Sequence, residues 1–544
     1  MARIGVHQRL HTRGRGKLLR LLPGQLRPAT PDSDQHHPQA TADRGAGPGV
    51  TAFLDAAVQR AVDLGAGHAD ARQVSTRNGA MSMRDGRMEA SLDVEERGIG
   101  VRVVVDGCWG FAASDTVSVD EAVALADRAV AMARVSRALT TRDVELAPEP
   151  VYMGTWLSPF DVDPFEVPEA DRIALLQERS AVLLADPRVS HADARLLAVR
   201  ESVDYADSAG TRTTQVRHRI EAEWSATAID SRTGAFETMA TTAPPVGRGW
   251  EYVLGGGVES GGARRWDWTT EIAHLPELLD EKLRAPSVDP GRYTLVIHPT
   301  NLWLTIHESV GHATELDRAL GYEANYAGTS FATPDGLGTM RYGSPLMQVT
   351  GDRQAPYGLS TVGWDDEGVA AQTWDIVKDG VLVGYQLDRA MAAEMGFDRS
   401  NGCAYADSAE HVQIQRMPNV SLQPDPEGGS IDQLIAGVSD GIYVVGDKSW
   451  SIDMQRYNFQ FTGQRFHRIK GGRLVGQVKD VAYQSRTPDF WGSLVALGGP
   501  DTYLLGGALN CGKGQPGQVA AVSHGCPAAV FDNINVLNSA QEGR

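Results

Sequence analysis

The sequence predicts an α+β chain, with a mixed α/β N-terminal domain followed by a β-rich C-terminal domain. Three observations carry this prediction. Glycine is abundant, at 59 of 544 residues beside 27 prolines, and turns consume glycine. Asp-Gly pairs repeatedly separate runs of strand-forming residues, a short-range hairpin signal. The longer helical patterns all fall before residue 285, and short strands dominate afterwards.

Residues 1–49 stand apart. Seven Arg/Lys and no acid precede residue 32, and a polar stretch rich in Pro, His, Asp and Gly follows. The apolar piece at 18–22 is broken by Arg20 and stopped by Pro23, too short for a secretory core. A disordered or non-native extension is the expectation. Order is expected from about Val50. Leu54, Val58 and Ala61 lie at helical spacing in 51–64. Asp85-Gly86 separates strand formers at 81–83 and 88–92, and Asp106-Gly107 separates 101–105 from 109–112. Ser118 and Glu121 form a capping box that opens a helix to about 136. A helix over 169–184, strands near 196–205, 211–218 and 220–228, and a helix over 270–283 complete the N-terminal domain, 50–285.

The run Pro286 to Gly291, with two prolines, punctuates the chain. The second domain, 286–544, opens with a strand at 293–298. Further strands are predicted at 369–377, 381–385, 412–415, 442–445 and 457–461, with short helices around His307 and at 387–395. The segment 442–445 could offer an edge to a peptide, but a core strand is the plainer reading.

A formal net charge of −18 argues against a nucleic-acid surface, which needs a basic patch, and suits a cytoplasmic protein. The apolar runs, such as 101–105, fall far short of the ~18 residues a membrane span needs. Four cysteines at 108, 403, 511 and 526 form no CxxC pair and no disulfide framework.

The strongest local feature is His307-Glu308-Ser309-Val310-Gly311-His312. In the H-E-x-x-H zinc motif the histidines share one helical face, and the glutamate between them is the general base. Here the second histidine comes at i+5, about 140° away on a regular helix. A one-residue π-bulge restores the shared face, with Gly311 easing the distortion. A catalytic zinc also needs a third protein ligand and an open position for water. Cys511 is expected in a Gly-rich loop, Asn510 to Gln515, where a thiolate could approach a metal and Lys513 could lower its pKa. Cys403, Cys526, His524 and Glu315 are further candidates, whereas Cys108 reads as a small buried hydrophobe.

On these residues the chain resembles the TldD/PmbA metalloprotease family, on the TldD side. The resemblance rests on His307 to Glu315, Trp364-Asp365-Asp366-Glu367-Gly368, Arg416-Met417-Pro418-Asn419, Gly441 to Val444, and Cys511-Gly512-Lys513-Gly514-Gln515. Gly98 to Arg102 and Gly110 to Ala112 fit as well. It spans most of 50–540. The resemblance implies Zn²⁺ held by His307, His312 and Cys511 in the C-terminal domain, with Glu308 as general base. Asp365, Asp366 and Arg416 match the family pattern and are weak candidates for binding substrate. Departures at Ala313-Thr314, at the Asn-Cys opening of the cysteine stretch and at Asp447 to Trp450 mark a divergent branch.

The function implied is a cytoplasmic zinc metallopeptidase of extended or unfolded peptides. It would act as a homodimer, or as a heterodimer with a motif-less PmbA/TldE-like paralogue. A zinc hydrolase of non-peptide amides, or a regulator of a topoisomerase or a toxin–antitoxin pair, are the rival functions.

Overall fold

Two Asp-Gly turns organise the first half of the chain. Asp85 and Gly86 (φ 48° and 73°) and Asp106 and Gly107 (φ 49° and 72°) are left-handed at both central positions, as tight hairpins between right-twisted strands require. They join β1 (His68–Arg84) to β2 (Arg87–Val105) and β2 to β3 (Cys108–Ser114). The computed structural model describes residues 52–255 and 266–542. The predicted extension at 1–49 lies outside the described residues.

Helix α1 (Ala52–Asp63) precedes this meander and α2 (Val119–Ser136) follows it. The Ser118 side chain accepts the Glu121 N–H at the start of α2. Next come β4 (Met153–Leu157), α3 (Glu169–Leu184), β5 (His191–Asp207), β6 (Arg212–Ile229) and β7 (Phe236–Ala240), then α4 (Glu251–Leu254) and α5 (Trp268–Arg284). The seven strands form one sheet in the order β3-β2-β1-β5-β6-β4, with β7 beside β6. Helices α1 and α2 bury Leu54, Val58, Leu125 and Val130 against Ile99, Val101 and Val103 at one end. At the other end α3 and α5 bury Leu176, Leu183, Ile272 and Leu279 around Trp224.

The strands are longer than the sequence predicts. β2 pairs with β1 along its whole length, although residues 89–97 are almost all exposed. That stretch, Glu-Ala-Ser-Leu-Asp-Val-Glu-Glu-Arg, alternates apolar Ala90, Leu92 and Val94 with polar residues but then turns charged, and its apolar row stays exposed instead of meeting a core. The two strands expected at 211–218 and 220–228 are the single strand β6. Its apolar pattern breaks at Arg217, His218 and Arg219, which are buried charged or polar groups. Glu201 on β5 pairs with both arginines.

The C-terminal half is built on a second seven-stranded sheet, with β8 (Gly291–Ile297) inside it. Strand 440–452 pairs parallel with β8, and 529–538, 481–486 and 458–470 follow antiparallel. Strand 458–470 then pairs back onto 440–452, so five strands close into a barrel. The segment 442–445 is therefore interior, bonded on both sides, and offers no free edge. Helix α6 (Pro299–Ile306) leaves β8 and is fastened to this barrel. Asn301 Nδ2 donates to the carbonyls of Gly446 and Thr462 at 2.8 and 2.9 Å, and the Tyr483 hydroxyl donates to Asn301 Oδ1. Strands Leu504–Gly514 and Gly517–Cys526 form a separate hairpin.

Candidate metal centre

Helix α6 does not end at Ile306. It runs into a π-helical turn, His307–Gly311, and then a 3₁₀ turn, His312–Thr314. The His312 N–H bonds to the His307 carbonyl, the i→i+5 closure that the motif spacing predicts. The widened turn puts the two imidazoles on one face, with ring centroids 4.6 Å apart. Gly311 has an ordinary helical φ of −53°, so its need is space rather than backbone freedom. A Cβ there would lie 2.6 Å from Met417 Sδ and 3.5 Å from His524 Cε1.

The third group comes from far along the chain. Cys511 lies in strand Leu504–Gly514 rather than in a loop, and its Sγ is 3.6 Å from His312 Nε2. One ligand atom each of His307, His312 and Cys511 lies within 4.8 Å of the others. Arg416 holds the hairpin in place, donating to the carbonyls of Cys511 (2.5 Å) and Gln518 (3.3 Å).

Hydrogen bonds fix the tautomer of each imidazole. His524 Nδ1 lies 2.9 Å from the Val420 carbonyl, which can only accept, so this nitrogen carries the proton. In the neutral ring His524 Nε2 is then an acceptor, and it lies 2.7 Å from His307 Nδ1. His307 therefore donates from Nδ1 and keeps its Nε2 lone pair. His312 Nδ1 donates to Glu315 Oε2 at 2.7 Å, which likewise frees Nε2. Burial holds all three rings neutral, with His312 pushed down to about 3, His524 to about 4 and His307 well below its usual value. His524 and Glu315, further ligand candidates from sequence, are hydrogen-bonded to the outer nitrogens of His307 and His312 and set the orientation of those two rings. Metal-bound histidines ordinarily need such partners.

Burial pushes the Cys511 thiol up to about 12, against the pull of Arg416 and Lys513. The expected help from Lys513 is thus outweighed. Its ammonium is spent on Asp317 at 2.7 Å, Glu315 at 3.2 Å and the Gln415 carbonyl at 2.8 Å. Burial raises Glu308 too, opposed by Arg456 and Arg318. Its Oε2 accepts from Arg456 Nη1 at 2.6 Å. No sequence pattern marks Arg456, because the contact exists only once strands 440–452 and 458–470 are paired. A cleft of about 510 Å³ lined by Arg456, Arg318, Tyr326, Gly512 and Gln518 opens beside the cluster.

Asp365 and Asp366, weighed as substrate-binding residues, are used internally. Asp365 accepts the N–H groups of Glu367, Val369 and Ala404. Asp366 pairs with Arg72 at 2.9 Å, and Glu367 pairs with Arg102 at 2.8 Å. These ion pairs tie the turn 364–368 to β1 and β2. Arg416, as described, serves the cysteine strand. Cys403 and Cys526 are buried outside the cluster, their thiols held up by burial. Cys108 is buried among the core residues of α1, α2, β1 and β2, as expected of a small hydrophobe.

Comparison with known proteins agrees with this architecture. Residues 290–538 match the PmbA/TldA metallopeptidase C-terminal domain, and 69–133 match PmbA/TldA metallopeptidase domain 1. A metalloprotease of Methanocaldococcus jannaschii is 24% identical over 79% of this chain and 89% of its own. One from Synechocystis is 27% identical over 80% and 87%. A zinc metalloprotease TldD homolog of Saccharolobus solfataricus is 23% identical over 41% and 47%. Among solved structures, a Thermotoga maritima protein described as a candidate modulator of a DNA gyrase superposes with TM-score 0.68 at 13% identity, over 89% of this chain and 99% of its own. TldE of Thermococcus kodakarensis does so with TM-score 0.63 at 14% identity, over 89% and 100%. The matched domains cover β1 to β3 of the first sheet, the second sheet, the π-turn histidines and the cysteine hairpin, more than half of the chain, and on that ground the chain belongs to the PmbA/TldD metallopeptidase family.

Proposed function

We propose that the protein is a zinc peptidase in which His307, His312 and Cys511 hold the metal and Glu308 is the general base. One observation carries this reading: two imidazoles with their Nε2 lone pairs free converge with a thiol within 4.8 Å, and each imidazole's other nitrogen is already engaged. Two nitrogens and one sulfur suit zinc, and three protein ligands leave a position for water, as catalytic rather than structural sites do. Zinc bound there lowers the pKa of a water toward ~7 and polarises a carbonyl.

The chain's own groups do the rest. Glu308, one residue from His307, takes a proton from the water and returns it to the leaving amine. Glu315 and His524 keep the imidazoles facing inward. Unfolded or extended peptides are the substrates we assign, approaching by the cleft beside Gly512 and Arg456. We read 50–285 and 286–544 as the two domains, the second carrying the site. The cytoplasm is the compartment that matches four unpaired cysteines. TldE among the structural relatives supports a partner subunit of that kind.

Metal analysis of the purified chain tests the reading. About one zinc per chain is expected, lost in Cys511→Ala and kept in Glu308→Gln. The latter should lose at least ~10²-fold in peptide hydrolysis. Full zinc in Cys511→Ala, or wild-type turnover in Glu308→Gln, would refute it.

A further inference from the structure

Arg456 sits at the tip of the hairpin that joins strands 440–452 and 458–470, with φ at +62°. That region favours glycine, and an arginine held there costs backbone energy. The tip is fixed by bonds that do not involve Glu308. The Asp453 carboxylate accepts the N–H groups of Gln455, Tyr457 and Asn458. The Met454 and Gln455 carbonyls accept from Thr329 and Phe331, and the Arg456 carbonyl accepts from the Thr487 hydroxyl. This framework delivers the guanidinium onto Glu308 Oε2 at 2.6 Å, with the two side chains 15% and 7% exposed. Arg456 Nε is buried without an acceptor among the described residues, so its contact with Glu308 is made through Nη1 alone.

We propose that Arg456 is the positioning residue of the general base. By binding Oε2 it fixes the carboxylate, which the Trp450 side chain also hydrogen-bonds, in the rotamer that receives the proton from water. The guanidinium keeps all its protons throughout; only its hold on Glu308 matters. This rests on the reading of Glu308 as general base. The competing explanation is that Arg456 merely neutralises a buried carboxylate, and the two differ in what turnover does.

The test uses the full chain with Arg456→Gln, Arg456→Lys, Arg456→Gly, Glu308→Gln and the Arg456→Gln/Glu308→Gln double variant. Arg456→Gln should keep its zinc and lose about 10- to 100-fold in kcat, the scale of a misplaced catalytic group, while KM stays within about threefold. Arg456→Lys should recover part of the loss, and guanidinium ion added to Arg456→Gly should do the same. In the Glu308→Gln background, Arg456→Gln should cost nothing further. In the metal-free chain, the loss of thermal midpoint caused by Arg456→Gln should shrink when residue 308 is glutamine. Wild-type kcat in Arg456→Gln would overturn the proposal, as would an equal loss in both backgrounds. If Arg456→Gln misfolds, failure of both the lysine variant and the guanidinium rescue would overturn it. A wild-type chain that binds no zinc or cleaves no peptide would instead refute the zinc-peptidase reading. The metal-free melting comparison would still report whether Arg456 acts on Glu308.

Discussion

At the scale of single residues, the centre is governed by where protons sit. The Val420 carbonyl fixes His524, His524 fixes His307, and Glu315 fixes His312. Replacing His524 with Phe removes the acceptor for His307 Nδ1–H and frees the ring to rotate or change tautomer. Zinc affinity should weaken about 10- to 100-fold with the fold intact, measured by competition against a chelator; unchanged affinity would remove His524 from the account. Proton release can be worked out in the same way. Burial lowers His312 to about 3 and holds His307 well below its usual value, so neither imidazole loses a proton on binding metal near neutral pH. The Cys511 thiol, pushed up to about 12 by burial, must give up its proton. One proton should therefore leave per zinc, and affinity should rise about tenfold per unit between about pH 6 and about pH 8. A flat profile, or release of two or three protons, would contradict these assignments.

At the scale of elements, one extra residue in a helix does what a side chain alone could not. The π-turn rotates His312 onto the face of His307, while the hairpin pinned by Arg416 brings Cys511 from the other side. The turn 364–368 is a second such element, joining β1 and β2 to the C-terminal half through buried ion pairs. Arg72 and Asp366 are 0% and 2% exposed. Arg72→Met leaves Asp366 buried without its cation and should cost about 3–5 kcal/mol of stability, read from denaturant unfolding. Zinc stoichiometry should not change, because neither residue touches the cluster. A loss below ~1 kcal/mol would mean that water or another group takes over the carboxylate. Gly110 shows a similar economy of space. A Cβ there would sit 2.0 Å from the Ala129 carbonyl, so β3 can lie against α2 only where residue 110 has no side chain.

At the scale of the whole molecule, the described residues contain no helix long and apolar enough to cross a membrane. The residues of the cluster are buried, with His307, Glu308, His312 and Cys511 each 5–6% exposed over the whole residue. Trp450, Met454 and Tyr326, from the Arg456 hairpin and the facing loop, are 53%, 55% and 71% exposed. A second subunit covering them would enclose the cleft and keep folded proteins out. We expect a dimer by light scattering, with peptide hydrolysis that rises when a motif-less PmbA/TldE-like paralogue is co-expressed. A monomer that digests unfolded peptides at full rate alone would contradict this. Zinc that binds the folded chain and not the unfolded one also stabilises it, so chelation should lower the thermal midpoint of the wild type and leave that of Cys511→Ala unmoved.

The sequence by itself determined the local features. Asp-Gly pairs set the hairpins, Ser118 set the start of α2, and the i+5 spacing of His307 and His312 required a π-turn. Each depends on neighbours along the chain, so short-range sterics and hydrogen bonding suffice. It also indicated Cys511, through the family resemblance rather than through spacing. The tertiary structure alone decided the rest. The full length of β2 was hidden because its pattern turns charged at Glu95, Glu96 and Arg97 and its exposed row meets no core, so pairing with β1 holds the strand there. The continuity of β6 was hidden because Arg217 and Arg219 are buried only by virtue of Glu201 on another strand. His524 and Glu315 carried metal-ligand chemistry in the sequence, and only their distances to His307 and His312 made them orienting partners. Arg456 is 148 residues from Glu308, and no local pattern records a contact that exists only after the barrel has closed.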